Sequence, residues 1–337
     1  MNAHETKRLY YAYARHALVT ALRLLRVTPS STVLIPEFIC RDVLASLSSL
    51  GAKPVFYEID DTLQPRSISA LDQSPDLISR APAAIIAVNY FGFPADLERV
   101  RKLVPSREVP IVEDNAHGWL SADANGKPLG SRTKVGITSV RKTIRIPDGA
   151  YLEWRDDGTL DVQSLHEPLP LRKDVLPISY HLRRAISQVD ARLPLTVMPL
   201  ARDAVRLLRR WSGKPAVSEN AEEEWNLPAN RSPHRTSLKV MGRIDVTKEV
   251  ERRRELFHAC DELASEFGIQ RPFTSLPPHA SPQGFPYFLD SKEATAFARA
   301  VRRHRLGEDI AWPALPSHTS LAVNSRLRSL HMVNFLV

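Results

Sequence analysis

Between Ala14 and Asp114 the chain alternates short apolar runs with segments whose apolar residues recur at helical spacing. No other feature constrains the fold as much. "ARHALVTALRLL", from Ala14, has the helical period. "STVLIPEFI" follows as a short buried strand. "CRDVLASLSSLG" reads as a helix closed by Gly51, a residue suited to a left-handed cap. "KPVFYEID" is again a strand. "PAAIIAVNYF" is an unbroken apolar run of the kind found in strands covered on both faces. "PADLERVRKLV" reads as a helix with Pro94 in its first turn, and "VPIVED" as the next strand. This rhythm predicts an α/β fold with a mainly parallel sheet flanked by helices.

After Trp154 the rhythm changes. "YHLRRAISQVDARL" and "PLARDAVRLLRRW" read as basic helices, the second with an apolar face of Leu200, Ala201, Ala204, Val205 and Leu208. A loop around "NLPANRSPHRTS" follows. The helix "VTKEVERRRELFHACDELASEFG" leads into a smaller C-terminal α+β unit containing the proline-rich "SLPPHASPQGFPYF" and "WPALPSH". The expected division is a large domain over 1–165, a basic helical segment and loop over 166–245, and a small domain over 246–337. With 337 residues, 43% of them hydrophobic, the chain can bury a large core without staples. Two distant cysteines, Cys40 and Cys260, argue against a disulfide framework and for a cytoplasmic setting. The first residues show no signal peptide, and no apolar run is long enough to span a bilayer.

The net charge of +8 is concentrated. Between Leu171 and Lys214 stand ten Lys/Arg against three acids. Such a block can attract an anionic substrate, dock on an anionic membrane surface, or simply be a solvated face. Nucleic acid ranks low, because the block carries no recognised nucleic-acid motif.

Three short stretches can carry chemistry. "VPIVEDNAHG" ends a strand in Glu113 and Asp114, with His117 three residues on. Ligands of open parallel sheets sit at the carboxyl ends of strands, so Asp114 either faces a ligand crevice or caps the next turn. "TSVRKTIRIPDGAYLEW" places Lys142 in an apolar, β-prone stretch before Pro147-Asp148-Gly149, which turns the chain into the next strand. Lys142 is either a desolvated lysine that meets an aldehyde or a snorkelling surface residue. Lys134, in the polar "GSRTKVG", is its rival. "ARHAL" opens the first helix, where free N–H groups can hold a phosphate. Together these three match the needs of pyridoxal 5′-phosphate: a lysine for the aldehyde, an acid for the pyridine nitrogen and a helix start for the phosphate.

In these stretches the chain resembles the DegT/StrS-type sugar aminotransferases, which are fold type I pyridoxal-phosphate enzymes. "GAKPVFYEID", "VNYFGFPADLERV", "IVEDNAHG", "GITSVRKTIRIPDGAYL", "HRTSLKVMGRID" and "ERRREL" are similar, in order, to that family's segments. Ala14 stands where the family has a glycine, and the turn after the lysine keeps one glycine, Gly149. The resemblance implies that Lys142 is the Schiff-base lysine and proton carrier, and that Asp114 pairs with the pyridine nitrogen. It places His117 near the phenolic oxygen. It gives Ser139 and the backbone of Arg15 and His16 to the phosphate. Arg235 would reach the cofactor of a neighbouring subunit in a homodimer. Phe38 would stack on the ring, since Cys40 occupies the family's aromatic position.

The implied activity is amination of a nucleotide-linked keto-sugar with an amino-acid donor, in polysaccharide or antibiotic-sugar biosynthesis. The alternatives are a pyridoxal-dependent enzyme on a non-sugar substrate, or a homologue that has lost its chemistry and acts as a binding protein. No metal site is expected.

Overall fold

A computed structural model describes residues 6–68, 81–105, 108–176, 180–181, 225–312, 314–317, 323 and 325–336. Its eight-stranded sheet is built from β1 (Thr6–Tyr11), β2 (Thr32–Pro36), β3 (Lys53–Ile59), β4 (Pro65–Ile68), β5 (Ala84–Val88), β6 (Ile111–Asn115), β7 (Val135–Thr138) and β8 (Ala150–Arg155). The order across the sheet is β1-β8-β7-β6-β5-β2-β3-β4. The central strands β3, β2, β5, β6 and β7 run parallel, as the alternation predicts. β5 is buried at every residue, which explains its unbroken apolar sequence.

The edges are antiparallel. β8 returns against β7, β1 pairs with β8 from Thr6↔Arg155 to Tyr11↔Ala150, and β4 closes the other side against β3. Neither β1 nor β4 follows from the sequence pattern, because edge strands need no apolar run.

Helix α1 (Ala14–Leu24) packs over β7 and β8 and buries Leu18, Ala21 and Leu22. Burying each such leucine is worth about 1.5–3 kcal/mol. The predicted helix at 40–51 divides into a 3-10 turn at Arg41–Val43 and a short α2 (Leu44–Ser48). Gly51 sits at φ 66°, the expected left-handed position. Helix α3 (Leu97–Lys102) starts later than expected. Asp96 caps it by accepting from the N–H groups of Glu98 and Arg99, so Pro94 lies outside the first turn.

The C-terminal part holds α4 (Arg235–Met241) and α5 (Val246–Glu266). A three-stranded antiparallel sheet follows in the order β10-β11-β9, from β9 (Gly284–Phe288), β10 (Glu308–Ala311) and β11 (Leu330–Asn334). Helices α6 (Lys292–Arg303) and α7 (Ser325–Arg328) complete it. Phe257 and Ala264 of α5 and Phe297 and Val301 of α6 form its core with Phe285 and Tyr287. Most of the two predicted basic helices, and with them most of the 171–214 block, lies outside the described residues. Among the described residues no helix is long and apolar enough to cross a membrane.

Candidate active site

Strand alternation separates the two acids at the end of β6. Successive side chains point to opposite faces. Glu113 is wholly buried and pairs with Arg132 Nε at 2.7 Å, and it also accepts from Asn89 Nδ2 at 2.8 Å. Asp114 faces a cavity between the carboxyl ends of the strands and the start of α1. One of its oxygens accepts the Ala116 N–H at 2.9 Å, so it braces the turn as well as facing the crevice. Burial pushes its carboxyl pKa up, against the opposing pull of Lys142 and the Ala116 N–H.

Lys142 ends a 3-10 turn, Val140–Lys142, directly after β7. Its Nζ lies 3.1 Å from His117 Nε2. His117 Nδ1 accepts the Phe91 N–H at 3.2 Å, which places the imidazole proton on Nε2. Nε2–H then donates to Nζ, and only a neutral amine can accept. Burial drives the same way: it lowers the Lys142 pKa against the pull of Cys40 and Asp114, and it lowers that of His117. A neutral buried amine is the nucleophilic form of lysine. Phe91 holds a left-handed backbone, φ 55°, an uncommon state for a bulky residue, in the turn that aims its N–H at His117.

The rival Lys134 is half exposed and pairs with Asp157 at 2.6 Å, away from this cavity.

The fold brings Arg15, Asp114, His117, Ser139 and Lys142 to one cavity. Three other expected residues lie outside its lining. His16 is buried within α1, and its N–H bonds to the Tyr13 carbonyl at 3.1 Å. Burial, then Arg231 and Arg15, lower its ring pKa to about 4, so it stays neutral. Phe38 is wholly buried and stacks on Trp312, with ring centroids 4.5 Å apart. Trp312, just after β10, lines the cavity in its place, together with Cys40, whose thiol burial and Asp42 push up to about 11. Arg235 is exposed at the start of α4.

Three further residues escape sequence reasoning. Arg141, adjacent to Lys142, lines the cavity. Trp312 stands in a stretch that reads only as proline-rich. Asp148 is wholly buried rather than set in a solvated turn: it accepts from the His234 N–H at 2.9 Å and from Ser237 Oγ at 2.7 Å, and Arg172 lies 3.3 Å away. Its partners, 86 and 89 residues further along the chain, leave no local signal. Among the described residues no group of three or more metal-ligating side chains occurs.

The residues fit pyridoxal phosphate. A buried carboxyl faces the cavity, a neutral lysine stands beside a histidine, and α1 opens without a side-chain cap on its first N–H groups. A mainly parallel sheet with an acid ending β6 and a lysine after β7 defines the fold type I aminotransferase-like class. Residues 11–157 match the model of the DegT/DnrJ/EryC1/StrS aminotransferase family. Over 322 residues it is 24% identical to the GDP-perosamine synthase of Escherichia coli O157:H7, covering 91% of this chain and 79% of that protein. It is 31% identical over 123 residues to the UDP-N-acetyl-3-dehydro-alpha-D-glucosamine 3-aminotransferase of Acidithiobacillus ferrooxidans; the match covers 36% of this chain and 32% of the relative, about a third of its length. The fold is similar to that of a sugar aminotransferase from Micromonospora echinospora, with a TM-score of 0.59 at 18% identity, covering 98% of this chain and 83% of that one.

Proposed function

We propose that the protein is a pyridoxal-phosphate-dependent aminotransferase that places an amine from an amino-acid donor on a nucleotide-linked keto-sugar. The 3.1 Å contact between Lys142 Nζ and His117 Nε2, in the cavity faced by Asp114, carries the chemical part. The names of the two sequence relatives support the sugar-nucleotide part. The bound cofactor would supply an electron sink for the amine transfer.

The chain's own residues divide the remaining work. Lys142, beside His117, would hold the cofactor's aldehyde and would act as the base and acid that moves a proton at the reacting carbon. His117 Nε2–H orients Nζ. Asp114 would hold the pyridine nitrogen of the cofactor and keep it protonated. Ser139 and the start of α1 receive the phosphate. Trp312 covers the cavity from the C-terminal side.

A homodimer completes the reading, with Arg235 of each subunit reaching the site of the other. So do a cytoplasmic location and the division of the chain after residues 165 and 245.

The test is to purify the protein with pyridoxal phosphate, reduce it with borohydride and map the peptides. A visible absorbance band and a reduced adduct on Lys142 are expected, with the adduct lost in Lys142→Ala. A colourless protein without an adduct would mark a fold that has lost its chemistry. Given the adduct, spectral conversion by glutamate, reversed by a nucleotide-linked keto-sugar as well as by 2-oxoglutarate, the keto acid that glutamate leaves, supports the substrate class; reversal by 2-oxoglutarate alone counts against it.

A further inference from the structure

The cavity holds two guanidinium groups near the start of α1, and they are not equivalent. Arg15 Nη2 pairs with Asp42 at 2.8 Å, so its charge is already matched. Arg141 has no such acid. Its Nε is buried without a hydrogen-bond partner, and no carboxylate among the described residues lies within ion-pair distance. Its guanidinium carbon sits 5.4 Å from the centroid of Tyr13, the N-cap residue of α1. The backbone N–H of Arg141 bonds to the Gly149 carbonyl at 3.3 Å, so the Pro-Asp-Gly turn fixes where the side chain starts.

This arrangement sets a cation beside the positive end of an 11-residue helix that has no side-chain cap. Burial and the neighbouring Arg15 disfavour the charge on Arg141, and Tyr13, Asp42 and Cys40 offset them only in part. A buried donor without an acceptor is costly, and two positive potentials side by side add to that cost. An anion between them removes both penalties. A planar guanidinium and free helix N–H groups are matched to a phosphoryl group.

We infer that Arg141 is a phosphate-binding residue of this site and, with the start of α1 and Ser139, grips the phosphate of the cofactor. This rests on the pyridoxal-phosphate reading above.

The test compares the apparent Kd of pyridoxal phosphate with that of pyridoxal, which lacks the phosphate, for the wild-type apoprotein, Arg141→Met and Arg141→Lys. Absorbance titration serves as the readout. Arg141→Met is expected to weaken pyridoxal phosphate about 10- to 100-fold. Pyridoxal should bind it as it binds wild type, which also shows that the fold and Lys142 are intact. Arg141→Lys keeps the charge but not the fork, and should fall between the two. Inorganic phosphate should compete with pyridoxal phosphate for the wild type and compete poorly for Arg141→Met.

An unchanged ratio of the two affinities in both variants overturns the assignment. So does an unchanged ratio accompanied by weaker binding of a nucleoside diphosphate, which would move Arg141 to a substrate anion. Capture of neither aldehyde by wild type would instead overturn the cofactor reading, and this assignment with it.

Discussion

At the scale of single residues the site is a problem in holding a lysine neutral. The Phe91 N–H fixes the tautomer of His117, and that tautomer donates to Lys142. Burial works in the same direction. A lysine pKa lowered in this way leaves the neutral amine populated at pH values below the usual lysine range, and it recharges as pH falls through the lowered value. His117→Phe keeps the bulk and removes the donor. Its effect should be to move the midpoint of aldehyde capture to higher pH, read from absorbance titrations across pH. The same substitution orphans the Phe91 N–H, at a cost of about 1–3 kcal/mol in urea unfolding. A capture midpoint that does not move would show that burial alone controls Lys142. Lys142, Asp114 and His117 were legible because each stands in a short motif at the end of a strand. Trp312 and Phe38 were not. Both are apolar aromatics, and which one faces the cavity is decided by packing between segments more than 270 residues apart in the chain.

At the scale of elements, the segment after Lys142 is tied down from two sides. Asp148 anchors the His234–Ser237 stretch at the start of α4. Arg253, wholly buried on α5, donates to Glu249 at 2.7 Å, to the carbonyls of Pro282 and Gln283 at 3.0 and 3.1 Å, and to the Thr143 carbonyl. Removing one partner of a buried charged network costs about 3–5 kcal/mol, because the others lose their donor. Arg253→Met should destabilise the protein by that order in chemical denaturation. Arg252→Met, whose partner pair is partly exposed, should cost about 1 kcal/mol or less. Equal losses would show that Arg253 is no clamp. The central strands could be read from the sequence because burial on both faces leaves continuous apolar runs. β1 escaped because its first three residues, Thr6 to Arg8, are exposed on an edge, and the α3 boundary shifted because Asp96 offers a better cap than Pro94 offers a start.

At the scale of the molecule, the candidate site draws on both sheets' parts of the chain. Asp114 lies near the end of β6 and Lys142 follows β7, both in the large sheet, and Trp312 follows a strand of the small one. A ligand seated there binds the assembled chain and not the unfolded one. Pyridoxal phosphate at about 100 times its Kd should therefore raise the unfolding free energy by about 2.7 kcal/mol. The Lys142→Ala protein should show a much smaller shift at the same concentration in calorimetry. An equal shift in both would place the binding elsewhere.

The Arg253 clamp also bears on inheritance and engineering. Because a side chain of α5 closes on the main-chain oxygen of Thr143, the residue after Lys142, the two halves of this chain are not interchangeable cassettes. A chimera that grafts the C-terminal half of a relative onto residues 1–245 keeps the lysine's brace only where the incoming helix supplies an arginine that reaches Thr143. Recombination between family members is therefore tolerated only where the arginine and the turn that receives it travel together.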